Sequence, residues 1–402
     1  MVKSYSNDDY NVSLYNQDES VLNNVKPPTK IDFHDVTLRD GEQQARIAFR
    51  KNEKIEIAKV LMQAGVNRVE AGMPSVSPED AEAVKEIANM RTGSKVYAFA
   101  RCMKPDVDSA LKADVDGIVM EIPSSDHLIE LAYGWDIEKA VRLSVESTRY
   151  AHDHGLKVTF FTIDATRAPF DNFWKIAGQV VKDGYMDSFA LADTFGVLNP
   201  HAANFFIKKI GSLIDKPLEI HAHNDFGLAV ANSIFSVLGG ASTVHVSVGG
   251  IGERSGNASL EEMVMSLECL YGVETSVDTK ALKGLADLVR KHSKVNFPPQ
   301  KPIVGDDIFT VESGILAGWW RRLEPKGMPL EMFPFKPEYV GQKGVDIILG
   351  KKSGIESIYY KAEQNGMKLD NEKALEVLGK VKKLALARKG NLNDEEFSVL
   401  TE

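Results

Sequence analysis

The chain has 402 residues, 43% of them hydrophobic, and a formal net charge of −9. That is enough apolar material for one large domain and a smaller one, and the acidic balance, with no basic stripe against it, excludes a nucleic-acid binder. No stretch is apolar enough to span a bilayer, the N-terminus lacks a secretory h-region, and the two cysteines, Cys102 and Cys269, lack CxxC spacing, which together point to a cytoplasmic protein without disulfides.

Residues 1–29 are polar and end in "KPPTK", and read as an N-terminal arm without catalytic content. From 30 to 298, short β-rich runs alternate with longer helical patterns. The expected strands are 31–37, 68–73, 95–101, 117–123, 157–164, 187–194, 218–225 and 243–250. Between them, 53–65, 77–90 and 137–155 repeat apolar residues at three and four. "SPED" at 77–80 supplies a cap with proline in the first turn, and Gly65, Gly155 and Gly184 stand where helices should stop. Eight βα units in this length predict an α/β fold, a (β/α)8 TIM barrel, in preference to a doubly wound sheet, because no glycine-rich phosphate loop follows the first strand. "KVNFPPQKPIVGDD" then marks a boundary, and 299–402 reads as a helical subdomain or lid with helices near 355–366 and 371–387. The Trp319–Trp320 pair and "MFPF" at 332–335 are apolar enough to want burial. The cationic run 380–389 reads as a solvated helix face.

In a TIM barrel the chemistry sits at the C-terminal ends of the strands. "HAHND" at 221–225 closes the seventh run, and the period of two sends His221 and His223 to one face. Such a pair is often only hydrogen-bonded or surface histidine. Here "TLRDGEQ" at 37–43 brings Asp40 to the end of the first strand, and one Asp plus two His make a divalent-metal ligand set with open positions. Asp40 alone would pass for a helix cap and Arg39 for a surface arginine. Together at the mouth, the guanidinium is placed to stabilise an oxyanion on a metal-held carbonyl. Asn257, after the glycine-rich "GGIGERSGN", is a further ligand candidate, against a reading of that loop as structural or phosphate-binding. His245, within the eighth strand, is expected to be packed or hydrogen-bonded. His34, His127, His152, His154, His201 and His292 have no evident partners in sequence.

"TLRDGEQ" 37–43, "VEAGMPSVSPED" 69–80, "ADTFG" 192–196, "HAHNDFGLAVANS" 221–233 and "GGIGERSGNASLEE" 249–262 resemble the α-isopropylmalate, homocitrate and citramalate synthase family, itself related to 3-hydroxy-3-methylglutaryl-CoA lyase. A fainter likeness continues through 301–315 and 339–354. The resemblance implies a homodimeric acyltransferase that condenses acetyl-CoA, its co-substrate, with a 2-oxo acid to give a 2-hydroxy-2-(carboxymethyl) acid. A lyase running the reverse kind of cleavage is the alternative. It further implies that Asp40, His221, His223 and Asn257 hold Mg²⁺, Mn²⁺ or Zn²⁺, that Arg39 polarises the acceptor carbonyl, and that Glu70 orients Arg39. Gln43 and Thr194 would line the substrate site, and Arg101, a polar residue ending the third strand at the mouth, is a further substrate-binding candidate by its position. The chain departs from the family at Ile163, where a glutamate is usual, at Leu316, where the usual "SGIH" reads "SGIL", and at Lys352 in "GKKSG". With neither Ile163 nor Leu316 able to accept a proton, the enolising base is expected at Glu312 in "VESG", with Tyr339 or a metal-bound hydroxide as alternatives.

Overall fold

A computed structural model describes residues 7–401. The chain divides into two compact units, one of Tyr15–Asn296 and one that runs from Phe297 onward and includes the stretch ending at Leu14. Residues 1–6 of the expected arm lie outside the described residues. The rest of that arm is shared between the units, with Tyr10 bridged to Phe335 in the second.

The first unit is a closed parallel barrel in strand order one to eight. Its strands are β1 (Asp32–Asp35), β2 (Arg68–Glu70), β3 (Lys95–Arg101), β4 (Gly117–Pro123), β5 (Lys157–Ile163), β6 (Ser188–Asp193), β7 (Leu218–Ala222) and β8 (Ala241–Val246). The helices that cover it begin as their sequences dictate. Ser77 accepts a hydrogen bond from the Asp80 N–H at 3.1 Å with Pro78 in the first turn, and Asp136 accepts one from the Lys139 N–H at 2.7 Å. The helix Phe170–Asp183 buries Phe173, Ile176, Ala177 and Val180, a stripe at three and four that faces the sheet. Burying a side chain such as Phe173 contributes about 1.5–3 kcal/mol.

β1 is shorter than the expected 31–37. The buried Asp35 carboxylate accepts hydrogen bonds from the Thr37 N–H at 2.9 Å and the Thr37 hydroxyl at 3.0 Å. These side-chain bonds compete with the ladder, and the chain turns at once into a wide helical turn, Thr37–Gly41, all five residues of which are buried. That turn lays Arg39 and Asp40 across the barrel mouth instead of letting them run out on a strand.

Inside the barrel, Tyr97, Phe99, Val119, Phe161, Ala190 and Ala192 form an apolar cluster with Met73 and Ile163 against it. The alternation of β-strands makes these the inward positions. By the same alternation Arg68, Glu70, Glu121, Glu219, His221 and His245 also point inward. The interior is therefore far more polar than the layers of branched aliphatics usual in such barrels.

The second unit pairs two short parallel strands, β9 (Thr310–Val311) and β10 (Asp346–Ile347), with four helices, Gly314–Leu323, Ile355–Gln364, Asn371–Arg388 and Asp394–Thr401. One core gathers Val311, Ala317, Trp320, Ile347 and Tyr360, with Leu316 and Phe333 packed on it. The tryptophan pair divides. Trp320 is buried and reaches the Tyr360 hydroxyl, whereas Trp319 is 49% exposed, because neighbours on a helix point to different sides. In the run 380–389, Val381 and Ala385 are buried and the remaining residues are at least partly exposed, the solvated face that the pattern predicts.

Candidate active site

Arg39 and Asp40 are the centre of the mouth. The Arg39 guanidinium lies 4.0 Å over the Phe99 ring and donates to Asp40 Oδ2 at 3.0 Å, to Gln43 Oε1 at 3.2 Å and to Glu70. Its Nη2 is buried and, among the described residues, has no partner. A buried guanidinium nitrogen left open costs free energy unless a ligand's oxygen meets it. Burial would raise the Glu70 carboxyl, but Arg39 and His34 outweigh it and bring it down to about 2, so Glu70 is a fixed anion that holds Arg39.

His221, the last residue but one of β7, has its Nε2 3.6 Å from Asp40 Oδ2, and His223, just past the strand, follows at 3.9 Å. The two Nε2 atoms are 3.2 Å apart. Burial drives both imidazoles below their usual value, His223 to about 4, so both are neutral near pH 7, the form that binds metals. Asp40 is held well below the carboxylate range, since Arg39 and His221 outweigh its burial. Three ligand atoms at these mutual distances, with neither imidazole hydrogen-bonded to the carboxylate and the two imidazoles meeting only each other, have the spacing of donors arranged around one ion.

Asn257 is delivered to the same place by the loop after β8. A bridge pairs it with His223, and its amide nitrogen donates to Asp40 Oδ1 at 2.8 Å and to the Ile251 carbonyl at 3.0 Å. Its Oδ1 is buried and, among the described residues, unpartnered. The glycines make this approach possible. A Cβ on Gly252 would come within 2.3 Å of the Asn257 amide and 2.7 Å of Asp40 Oδ1, and one on Gly256 (φ +89) within 1.9 Å of the Gly250 carbonyl. The loop is therefore built around Asn257. Asp40, His221, His223 and the open Asn257 oxygen fit a hard or borderline divalent ion.

Below this shell lies a second polar layer, of which the sequence reading anticipated only a packed or hydrogen-bonded His245. His34 Nε2 meets Glu70 Oε2 at 2.8 Å, His245 Nε2 meets Glu219 Oε2 at 2.8 Å, and Arg68 pairs with Glu219 at 2.8 Å. The His34 and His245 rings stack at 4.4 Å. The signal was present in "LEIHAHND", since Glu219 shares the parity of His221 and His223. His34 needed the strand register, which sets it beside Arg68 on one side and His245 on the other.

Three expected site residues have partners elsewhere. Arg101, at the end of β3, forms a two-pronged ion pair with Asp106 at 2.8 and 2.9 Å. The Thr194 hydroxyl accepts from the Asp164 N–H at 2.8 Å. Glu312 belongs to the second unit, where it accepts from the Lys352 N–H at 2.9 Å and pairs with Lys352 Nζ at 2.9 Å. Burial works against ionisation, but Lys352 outweighs it and holds the Glu312 carboxyl below its usual value.

Residues 30–289 match the HMGL-like family, and residues 303–389 match the homocitrate synthase post-HMGL domain. The chain belongs to the HMGL-like family. Its relatives include a homocitrate synthase of Methanocaldococcus jannaschii, 38% identical over 92% of this chain and 90% of that protein. A probable 2-isopropylmalate synthase of Ignicoccus hospitalis is 42% identical over 89% of this chain and 88% of its own length. A putative (R)-citramalate synthase of Archaeoglobus fulgidus is 39% identical over 88% and 71%. Among solved structures, a hydroxymethylglutaryl-CoA lyase of Pseudomonas aeruginosa superposes with a TM-score of 0.60 at 23% identity, covering 67% of this chain and 95% of its own. That likeness establishes the barrel fold of this HMGL-like chain.

Proposed function

We propose that this chain is a metal-dependent acyltransferase that condenses acetyl-CoA with a 2-oxo acid to a 2-hydroxy-2-(carboxymethyl) acid. One observation carries the reading. Identity to synthases runs through both units, including the segment 303–389, whereas the matched lyase structures reach only about two-thirds of the chain.

Asp40, His221, His223 and Asn257 would hold a divalent ion, whose chemistry when bound is Lewis-acid activation of the acceptor. Arg39 directs its open Nη2 at the oxygen on which negative charge develops, and it is rigid, because Glu70, Asp40 and Gln43 hold its other nitrogens. Gln43 and Thr194 are proposed to line the acceptor site. Arg101 would have to leave Asp106 to touch substrate. Glu312 is proposed as the enolising base, a role that requires its pair with Lys352 to open. A homodimer is proposed on the 71% exposure of Ile315 and the 49% exposure of Trp319 on one helix of the second unit. Sedimentation at micromolar concentration is expected to give twice the chain mass.

The direct experiment measures thiol release from acetyl-CoA with the metal-loaded protein against pyruvate, 2-oxoisovalerate, oxaloacetate and 2-oxoglutarate. Release with at least one acceptor is expected. Silence with all four, together with cleavage of 3-hydroxy-3-methylglutaryl-CoA, would make the chain a lyase instead.

A further inference from the structure

Glu121 is an unpaired carboxylate in the barrel mouth. It lies on β4 two residues beyond Val119, a member of the interior cluster, and therefore shares its inward face. Its cross-strand neighbours are Arg101 on β3 and Phe161 on β5. The side chain is partly buried, and among the described residues its carboxylate has no hydrogen-bond or ion-pair partner. Arg39, Arg101, Glu70 and Glu253 act on it electrostatically, and burial is the largest influence, pushing its carboxyl up to about 7. The Tyr133 hydroxyl also feels its charge. An inward acid left without a partner, in an interior where Glu70 and Glu219 are both paired, is a group held for a ligand.

The ring of strands says which part of the ligand it meets. The proposed ligand shell comes from β1, β7 and the loop after β8, on one side of the closed barrel. In a ring of eight, β4 stands opposite β8. An acceptor that an ion at Asp40, His221 and His223 would hold, with Arg39 on its carbonyl, extends its side chain across the ring toward β4 and β5. There it meets Phe161, Ile163 and Glu121. Among the described residues the two cations that act on Glu121 are already paired, Arg101 with Asp106 and Arg39 (apart from the Nη2 that faces the acceptor carbonyl in the proposed reaction) with Glu70 and Asp40.

We propose that Glu121 is the specificity-determining residue for the acceptor, and that it restricts this chain to 2-oxo acids carrying a single carboxylate. The inference rests on the acyltransferase reading and narrows it. Pyruvate and 2-oxoisovalerate are accepted. Above pH 7, where the Glu121 carboxyl is ionised, oxaloacetate and 2-oxoglutarate would place a second anion against a carboxylate without an ion-pair partner, which disfavours them by at least about a hundredfold in kcat/KM.

The test compares kcat/KM of the four acids in the parent and in Glu121→Gln, which keeps size and removes charge, at pH 8. Calorimetric binding of the same acids to the metal-loaded protein without acetyl-CoA runs alongside. A monocarboxylate is expected to win in the parent, and the ratio of dicarboxylate to monocarboxylate is expected to rise at least about tenfold in the variant, in both readouts. An unchanged ratio, or a parent that prefers a dicarboxylate, would overturn the role of Glu121 while leaving the acyltransferase standing. If thiol release fails with every acid but binding shows the expected ratio, it is the reaction assignment that falls. A parent that binds none of the four overturns both.

Discussion

Asp40, His221 and His223 form one buried histidine–carboxylate cluster, and His34, His245 and Glu219 form another beneath it, the His221 and His245 rings being 5.4 Å apart. In both, the potential ligand atoms lie within 4.8 Å of one another. Residue types and burial do not separate them. Their valences do. In the lower cluster each Nε2 already has a carboxylate at 2.8 Å, and the Arg68 guanidinium supplies the positive charge that Glu219 needs. In the upper cluster Asp40 gives Oδ2 to Arg39 and Oδ1 to the Asn257 amide, both imidazoles stand beyond hydrogen-bond length from it and meet only each other at 3.2 Å, and Asn257 keeps an open oxygen. In both clusters the Nδ1 atoms are, among the described residues, unpartnered, so the difference lies at Nε2: a ring nitrogen that already meets a carboxylate is closed to an ion, and one that does not is open to it.

The largest effects should follow that division. Replacing both His221 and His223 by Ala is expected to abolish metal uptake and turnover while the fold survives. Replacing His34 and His245 by Ala is expected to leave the metal content at the parent level but to cost on the order of 3–5 kcal/mol of stability, since Glu70 and Glu219 would each lose a buried partner. Elemental analysis after chelation and re-loading, with denaturant unfolding, reads both outcomes. Equal metal loss in the two variants would erase the distinction.

A smaller effect tests a paired carboxylate as a base. Glu312→Gln is expected to lower turnover roughly a hundredfold with little change in 2-oxo acid binding. Lys352→Met, which releases the carboxyl from its ion pair, should move the acidic limb of the pH–rate profile upward. Deuterium exchange from acetyl-CoA at the parent rate in the Gln variant would show that the proton leaves by another route.

The smallest effect sharpens the contrast between paired and unpaired acids. Glu121 sits at about 7 in the folded chain against a usual 4.5. Between those values the folded state holds the proton and the unfolded state does not, so stability falls as pH rises through the window and the loss is complete above it. For Glu219, which Arg68 and His245 keep ionised far below the usual range, the sign is opposite. Glu121→Gln should therefore be more stable than the parent at pH 8, by at most about 3 kcal/mol, and lose that advantage near pH 5. Unfolding curves at the two pH values check it, and a difference that ignores pH would contradict the unpaired state of Glu121.

Strand parity and strand-end position were legible in the residues themselves. His221 and His223 had to share a face, Asp40 had to leave the first strand near them, and the alternation of runs foretold the barrel. Glu219 shared their parity and could have been read the same way. Arg68, His34 and His245 could not, because what joins them is the register of β1 against β2 and β8, and a chain carries no mark of which of its strands will close the ring. The fate of Arg101, Glu121 and Glu312 was settled in the same way. In sequence they are three charged residues near strand ends or a family motif. The folded chain gives Asp106 to the first and Lys352 to the last, and leaves Glu121 alone. Periodicity is a property of neighbours along the chain and survives in the sequence. Pairing of charges belongs to groups brought together from distant segments, and only the tertiary structure decides it.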